Sequence, residues 1–272
     1  MSSETTAPHL KRQQIEANGL TFECLYAGDG DRLALCFHGF PDNAGSMAPI
    51  LYRLADAGFT AVAPFMRGYA PSDPAPDGDY SESELGRDAV ELAAELRGEF
   101  DTDDAVLVGH DWGAVAAYAA DRTDPEAFSK LVTLAVPPGF EPLLYEHPRQ
   151  AIRSWYMWFF QLPDAPERAL RWRNFAFIDF LWGLWSPDWD YPDARINDVK
   201  ETFRAEGTVE NALQYYRDIV DPSIPAGKNG RPSLDDVQTI QTPTLVICGE
   251  RDGCIGPELF EHAGEVIEDC RV

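Results

Sequence analysis

The chain has 272 residues, 44% of them hydrophobic, which is typical of one large globular domain or of a domain with an insertion. It carries 46 acidic and 22 basic residues, and this net charge of -24 argues against nucleic acid or an anionic membrane as a partner. Only four basic residues are lysines, a composition typical of proteins from salt-loving organisms, where high salt screens self-repulsion. A mesophilic protein that is merely acidic is the alternative.

Cysteine usage and the N-terminus indicate the compartment. The five cysteines contain no C-x-x-C pair, and an odd count without a spacing pattern is typical of buried thiols in a reducing compartment. The polar, acidic N-terminus lacks the basic and apolar regions of a signal peptide, and no apolar run reaches the ~18 residues of a membrane span. We therefore expect a soluble cytoplasmic protein, either a monomer or a homodimer, without a membrane partner.

The first half of the chain alternates strand and helix patterns. The dipeptide Asn18-Gly19 predicts a hairpin, and a Ser-x-x-Glu pattern that begins at Ser81 is typical of a helix capping box. Strands are predicted at 15–25 (a pair), 32–37, 59–65, 105–109 and 128–136, and helices at 46–57 and 81–100. This alternation predicts an α/β fold with a mostly parallel sheet that helices cover on both faces.

The stretch Gly109-His110-Asp111-Trp112-Gly113 lies where an apolar run ends and a helical pattern of small residues begins. Its G-x-D-x-G pattern predicts a strand, a sharp turn and a helix, with the Asp111 carboxylate at the apex where esterases carry serine. Aspartate tolerates the positive φ of such a turn, and a Cβ at either glycine would clash with the facing helix and strand. The alternative is a helix N-cap at Asp111, flanked by ordinary loop glycines.

The middle of the chain has a different pattern. From about residue 140 to 231 the strand alternation stops and aromatic residues become dense, which predicts a helical lid inserted over the sheet. Residues 1–139 and 232–272 are then the two parts of the sheet domain. In the second part, 242–248 is a predicted strand, Asp252 follows it in a loop, and a helix is predicted over 257–268.

Taken in order, these motifs resemble those of the α/β-hydrolases and, among them, the epoxide hydrolases. His38-Gly39-Phe40-Pro41 is similar to the H-G-x-P loop of that family, and the resemblance implies that the Phe40 amide is one donor of an oxyanion hole. It also implies that Asp111 is a nucleophile, that the Trp112 amide is the second oxyanion donor, and that Asp252 is the acid of the triad.

Two tyrosines in the predicted lid complete the resemblance. Tyr156 and Tyr216 are placed like the two lid tyrosines with which epoxide hydrolases bind and protonate the epoxide oxygen, with Tyr215 as the alternative to Tyr216. The reaction implied is opening of the epoxide by Asp111 to an ester, which water then cleaves to a diol. No metal-binding or dinucleotide-binding motif is present, so we expect no metal and no organic cofactor.

The resemblance also implies a catalytic histidine after a final strand, and the histidines of this chain are not placed there. His38 and His110 belong to the motifs themselves and are interpreted as packed supporting groups. His147 lies at the start of the lid, and His262 lies within a predicted helix, a poor position for a triad base. We therefore expect that the last strand and helix of the fold are missing and that an ester formed at Asp111 is hydrolysed poorly.

Two other functions stay open. A haloalkane or haloacid dehalogenase shares the fold and the aspartate nucleophile, and Trp112 matches one halide donor of those enzymes. Phe40, however, stands where many haloalkane dehalogenases carry asparagine, and the arginines that follow the nucleophile in fluoroacetate dehalogenases are absent. The third possibility is an impaired pseudo-hydrolase that only binds a small molecule. In each case the aromatic lid indicates a small apolar or aromatic ligand.

Overall fold

A computed structural model describes residues 10–219 and 237–272. Within them, eight strands form one sheet in the order β1-β2-β4-β3-β5-β6-β7-β8. The strands are β1 (Lys11–Ala17), β2 (Leu20–Ala27), β3 (Arg32–Phe37), β4 (Phe59–Pro64), β5 (Ala105–His110), β6 (Lys130–Leu134), β7 (Thr244–Ile247) and β8 (Cys270–Arg271). β1 pairs antiparallel with β2 and β2 with β4, whereas the other five pairs are parallel. The predicted mostly parallel sheet is confirmed.

The helices of the sheet domain follow the strands. They are α1 (Ala48–Asp56), α2 (Glu82–Phe100), α3 (Trp112–Thr123) and α11 (Ala263–Val266), with 3-10 helices at Ala44–Met47 and Pro257–His262. α1 packs on β4, and α2 packs on α3 and β1. The helix predicted over 257–268 is instead a 3-10 turn followed by one α-helical turn.

The central strands explain where the site lies. In β3, all residues from Leu33 to Phe37 are buried, as expected for a parallel strand with elements packed on both faces. β3 lies between β4 and β5, and β6 and β7 continue the parallel part. Because the carboxyl ends of parallel strands meet at one edge of a sheet, the loops after β3, β5 and β7 come together there.

The edge of the sheet beside β7 differs from the prediction. Cys270 pairs with Thr244 and Arg271 with Leu245 in parallel register, and the Thr244 amide donates to the Asp269 carbonyl at 2.9 Å. The backbone is already extended at Ile267, directly after α11, and Ile267 forms a parallel bridge with Ile240. The end of the chain therefore runs parallel to the segment that leads into β7. The expectation that the sheet lacks a strand beyond β7 is therefore wrong, since residues 270–271 form one.

Between β6 and β7 the described residues contain seven helices and no strand, apart from the isolated bridge of Ile240 to Ile267. They are α4 (Phe140–Glu146), α5 (Pro148–Arg153), α6 (Trp155–Phe160), α7 (Ala165–Arg171), α8 (Ala176–Trp185), α9 (Asp193–Arg204) and α10 (Thr208–Asp218), and we call them the helical segment. The predicted boundary at residue 231 lies outside the described residues. In the part of the chain described, no helix is long and apolar enough to cross a membrane.

The predicted capping box at Ser81 is wrong. The Ser81 side chain makes no hydrogen bond to the start of α2 and pairs with Ser83 instead. The Glu84 carboxylate, which would complete the box, binds the guanidinium groups of Arg67 and Arg87. Charge-assisted hydrogen bonds are about twice as strong as neutral ones, so the arginines compete successfully for this carboxylate.

A buried ion pair ties the loop after β4 to α2 and to the helical segment. The Arg67 guanidinium binds both carboxylate oxygens of Asp88, with Nε–Oδ2 at 2.6 Å and Nη2–Oδ1 at 2.7 Å. Both side chains are almost completely buried. The Arg67 carbonyl accepts a hydrogen bond from the Tyr215 hydroxyl of α10 at 2.8 Å.

We predict that Asp88→Asn lowers the free energy of unfolding by about 3 kcal/mol, because it removes the charge of the closer, buried carboxylate from Arg67 and leaves only Glu84 at 3.3 Å. Urea unfolding followed by circular dichroism measures this change. Glu210→Gln is the matched control, since it breaks an exposed pair with Arg171 and should cost less than about 1 kcal/mol. Equal losses in the two variants would contradict the importance of the buried pair.

Candidate active site

Asp111 lies at the sharp turn between β5 and α3. Its backbone has φ 55° and ψ -115°, a conformation that L-residues rarely adopt. A Cβ at Gly109 would overlap the Gly113 carbonyl, and a Cβ at Gly113 would overlap the Phe37 carbonyl. Both positions therefore require glycine, as the motif predicted. The N-cap alternative is not supported, because the Asp111 side chain makes no capping hydrogen bond to α3.

The Asp111 carboxylate is directed towards the loop after β3. Its Oδ1 accepts a hydrogen bond from the Phe40 amide at 2.7 Å, and a Cβ at Gly39 would overlap this carboxylate. Burial raises the pKa of Asp111 to about 7, although the hydrogen bond from the Phe40 amide and the nearby Trp112 amide act in the opposite direction. Of the two amides predicted as oxyanion donors, the Phe40 amide binds this carboxylate, and the Trp112 amide is near it without a hydrogen bond of its own.

His38 holds the loop that carries the Phe40 amide. The ring is fully buried, its Nε2 accepts a hydrogen bond from the Met66 amide at 3.0 Å, and Nδ1 lies 3.0 Å from the Gly39 carbonyl. Since Nε2 accepts, the proton is assigned to Nδ1, which donates to Gly39. Burial lowers the pKa of His38 to about 4, so the ring is neutral. From the other side, Trp182 Nε1 donates to the Pro41 carbonyl at 3.0 Å.

Asp252 follows β7 and approaches the same edge of the sheet. Its Oδ1 accepts hydrogen bonds from the amides of Cys254 at 2.7 Å and Ile255 at 3.1 Å. Burial raises the pKa of Asp252, and these two amides partly oppose the rise. Among the described residues, no histidine forms a hydrogen bond with this carboxylate.

Among the described histidines, His110 differs from the expectation, whereas His262 lies away from the candidate site. His110 lines the same cavity as Asp111 and Asp252, so it is not only a packed supporting group. Burial lowers the pKa of His110, and the negative charges of Asp42 and Asp252 partly oppose this shift. His262 pairs with Glu265 at 3.0 Å, with its ring centroid 6.2 Å from that of His147, and neither of these two histidines lines the cavity. His9 lies outside the described residues.

Tyr156 and Tyr216 lie close together beside Asp111. Their ring centroids are 5.7 Å apart, and the Tyr216 ring packs edge-on against Phe40 at 5.2 Å and Trp112 at 5.1 Å. Burial raises the pKa of both phenols well above its usual range, and the nearby Asp111 charge raises it further. Both hydroxyl groups therefore keep their protons at neutral pH and can act as donors.

The two phenols differ in their partners. The Tyr156 hydroxyl is 3.3 Å from the Cys254 sulfur. The buried Tyr216 hydroxyl has no hydrogen-bond partner among the described residues; the Trp112 side chain lies outside hydrogen-bond geometry, although its proximity acts to lower the pKa of Tyr216. The neighbouring Tyr215 hydroxyl donates to the Arg67 carbonyl instead. Of the two adjacent tyrosines, Tyr216 is thus the one that packs beside Asp111.

A cavity of about 420 Å³ opens next to Asp111, within the range of small-molecule sites. Neither Tyr156 nor Tyr216 is on its wall, so both pack beyond the cavity surface. Its walls are mainly apolar, with Trp182 and Trp189 stacked at 5.0 Å. Lining residues include Phe40, Pro41, Asp42, Met47, Ile50, His110, Asp111, Trp182, Trp185, Trp189, Arg195, Asp252, Cys254 and Ile255.

The sequence reasoning missed Asp42, Arg195 and Cys254 in this wall. Asp42 directly follows the His38-to-Pro41 motif, a carboxylate at a strand end that could have been noticed. Its Oδ1 accepts from the Asn43 amide at 2.9 Å and from the Ser46 hydroxyl, and burial raises its pKa to about 6. Arg195 gave no local signal, because it reaches the cavity from α9.

The raised pKa of Asp111 predicts a pH-dependent stability. Its folded-state pKa of about 7 lies above the ordinary aspartate value of about 4. The protonated Asp111 side chain therefore contributes its full stability below about pH 4, and this contribution is lost as the pH rises through 7. Asn keeps an oxygen for the Phe40 amide and does not ionise. Asp111→Asn should therefore be more stable than the wild type by about 4 kcal/mol at pH 8, and by less than half of that at pH 5.

Urea unfolding across this pH range measures the difference. Asp103→Asn, which changes an exposed aspartate, is the control and should show no such trend. A stability gain in Asp111→Asn that is the same at both pH values would contradict the raised pKa.

Comparison with known proteins places the chain in a family. The family profile for the α/β hydrolase fold matches residues 35–268. The AB hydrolase superfamily protein YfhM of Bacillus subtilis (strain 168) is 29% identical, over 93% of this chain and 85% of its own length. Epoxide hydrolase A of Mycobacterium tuberculosis is 28% identical over 93% of this chain and 86% of its own.

A solved structure agrees in fold. The crystal structure of Bacillus megaterium epoxide hydrolase in complex with an inhibitor superposes with a TM-score of 0.80 at 24% identity, covering 96% of this chain and 90% of that one. The chain therefore belongs to the α/β-hydrolase fold family and is a hydrolase similar to the epoxide hydrolases.

Proposed function

We propose that this protein opens a small apolar or aromatic epoxide with Asp111 as the nucleophile. The observation that carries the proposal is the position of the Asp111 carboxylate. One of its oxygens is bound by the Phe40 amide at 2.7 Å, and two protonated phenols, Tyr156 and Tyr216, pack beside it. The buried Tyr216 hydroxyl has no hydrogen-bond partner among the described residues, so its proton is not committed to another protein group.

In the first step, the ionised Asp111 carboxylate attacks one epoxide carbon and forms a C–O ester bond. The bond from that carbon to the ring oxygen breaks, and the oxygen takes the electron pair. A phenol proton from Tyr156 or Tyr216 is then transferred to this oxygen, which gives a free hydroxyl group. The buried tyrosines suit the donor role because burial keeps them protonated.

In the second step, water adds to the ester carbonyl carbon, the bond from this carbon to the substrate oxygen breaks, and the diol leaves with one proton of the water on that oxygen. The other proton of the water returns to the tyrosinate, and Asp111 is again a carboxylate. The carbonyl oxygen becomes an oxyanion during this step, and the Phe40 amide, which binds the Asp111 carboxylate in the free protein, is placed to donate to it. Loss of one such donor typically costs a few kcal/mol of transition-state stabilisation. Water also needs a base, and Asp252 binds backbone amides rather than a histidine among the described residues. We therefore expect the ester to form faster than it is hydrolysed.

The helical segment supports the proposed substrate class. We propose that residues 140–231 form a cap over the sheet domain, which comprises residues 1–139 and 232–272. Trp182, Trp185 and Trp189 of this segment line the cavity and offer flat apolar walls to an aromatic substituent. The charge of -24 suggests that assays should be run in high salt.

We predict a covalent adduct at Asp111. Intact-protein mass spectrometry after incubation with a small aryl epoxide should show one added epoxide mass, which peptide mapping locates to Asp111 and which Asp111→Asn lacks. Free diol without an adduct would mean that hydrolysis is faster than expected. With neither product, the nucleophile assignment fails, and halide release from a chloroalkane would then favour a dehalogenase.

The packing of the adjacent tyrosines gives a matched pair of variants. Tyr216→Phe should slow adduct formation by about tenfold to a hundredfold, because it removes one proton donor. Tyr215→Phe removes a hydroxyl that binds Arg67 and should change the rate little. The rates come from a time course of adduct mass. If Tyr215→Phe were the slower variant, the assignment of the second tyrosine would be reversed.

A further inference from the structure

Cys254 contacts both Asp252, in the loop after β7 that we call the acid loop, and the cap tyrosine Tyr156. It lies two residues after Asp252, its side chain is buried, and its amide donates to the Asp252 carboxylate at 2.7 Å. Its sulfur lies 3.3 Å from the hydroxyl of Tyr156, which is 98 positions earlier in the chain. One side chain thus joins the loop after β7 to the helical segment next to the cavity.

Gln150 of α5 fixes the backbone of Cys254. This glutamine is fully buried; its Nε2 donates to the Cys254 carbonyl at 2.8 Å, and its Oε1 accepts from the Gly256 amide at 3.0 Å. The same Nε2 donates to the Ser154 hydroxyl at 2.9 Å, just before Tyr156. With both ends of the amide bonded, the loop and the start of α6 are held in a fixed relation.

The sulfur suits a temporary partner for the Tyr156 hydroxyl. Among the described residues it is the only hydrogen-bond partner of that hydroxyl. A thiol is a weak donor and a weak acceptor, so the contact sets the direction of the phenol without competing strongly with an epoxide oxygen. Tyr215 shows the opposite case, because its hydroxyl is bound to a backbone carbonyl at 2.8 Å.

We propose that Cys254 is a positioning residue: its thiol holds the Tyr156 hydroxyl towards Asp111 and gives way when the substrate oxygen binds. This inference rests on the proposed function of Asp111 and Tyr156. It assigns Cys254 no bond-making step, since the proton comes from the phenol. Because Cys254 belongs to the acid loop, the proposal also means that Tyr156 is correctly placed only while this loop keeps its position.

A double-mutant cycle on the rate of Asp111 adduct formation tests this. Cys254→Ala should slow the reaction about fivefold, the value of one ordinary hydrogen bond. In a Tyr156→Phe background the same substitution should have no further effect, because its target is gone. Equal losses in both backgrounds would overturn the proposal.

Two further variants separate positioning from folding. Cys24→Ala makes the same change at a buried cysteine of β2, away from the cavity, and should leave the rate unchanged. Cys254→Ser keeps a hydroxyl that can bind Tyr156 and should retain the rate within about twofold. If serine lost as much activity as alanine while unfolding at the same urea concentration as the wild type, the proposal would fail.

The S–H stretching band in the infrared spectrum provides a readout that needs no activity. The component that disappears in Cys254→Ser should shift in Tyr156→Phe, and the bands of the other cysteines should not. An unshifted component would refute the contact between thiol and phenol. If the wild type formed neither adduct nor diol but the band shifted, the proposed function would fail while the contact would stand.

Discussion

The close approach of three backbone segments around Asp111 is the constraint on which the site depends. Gly109 and Gly113 let α3 pack directly on β5 and β3, and Gly39 lets the loop after β3 reach the Asp111 carboxylate. The resulting turn forces Asp111 into a backbone conformation at φ 55°. That strained conformation is maintained by the surrounding sheet and directs the side chain to the Phe40 amide rather than to the helix.

Burial then determines the chemistry of each group. Removing Asp111 from water raises its pKa, and amide hydrogen bonds recover part of the lost solvation. The same effect keeps Tyr156 and Tyr216 protonated, so a partly ionised carboxylate faces two acids at neutral pH. His38 shows the structural use of burial: its neutral ring holds the loop by accepting from one amide and donating to a carbonyl.

The helical segment is attached to the sheet domain by polar contacts at the edge of the site. Trp182 binds the Pro41 carbonyl, Tyr215 binds the Arg67 carbonyl, and Gln150 binds the loop at Cys254. Each contact ends on a backbone group of a loop that follows a parallel strand. Such contacts fix the segment relative to these loops with a precision that apolar packing alone does not give, because hydrogen bonds are directional.

The sequence by itself determined the sheet, the elbow and the order of the motifs, because these depend on apolar runs and glycines over a few neighbouring residues. It also predicted Asp111 and Trp112 at one turn, and the resemblance implied that the Phe40 amide of another loop meets them. Only the tertiary structure decided that Tyr216 rather than Tyr215 packs beside Asp111, since one helical step rotates a side chain by about 100°. Contacts between distant segments, such as Cys254 with Tyr156 or Arg195 with the cavity, left no local pattern and arise only when the chain is folded.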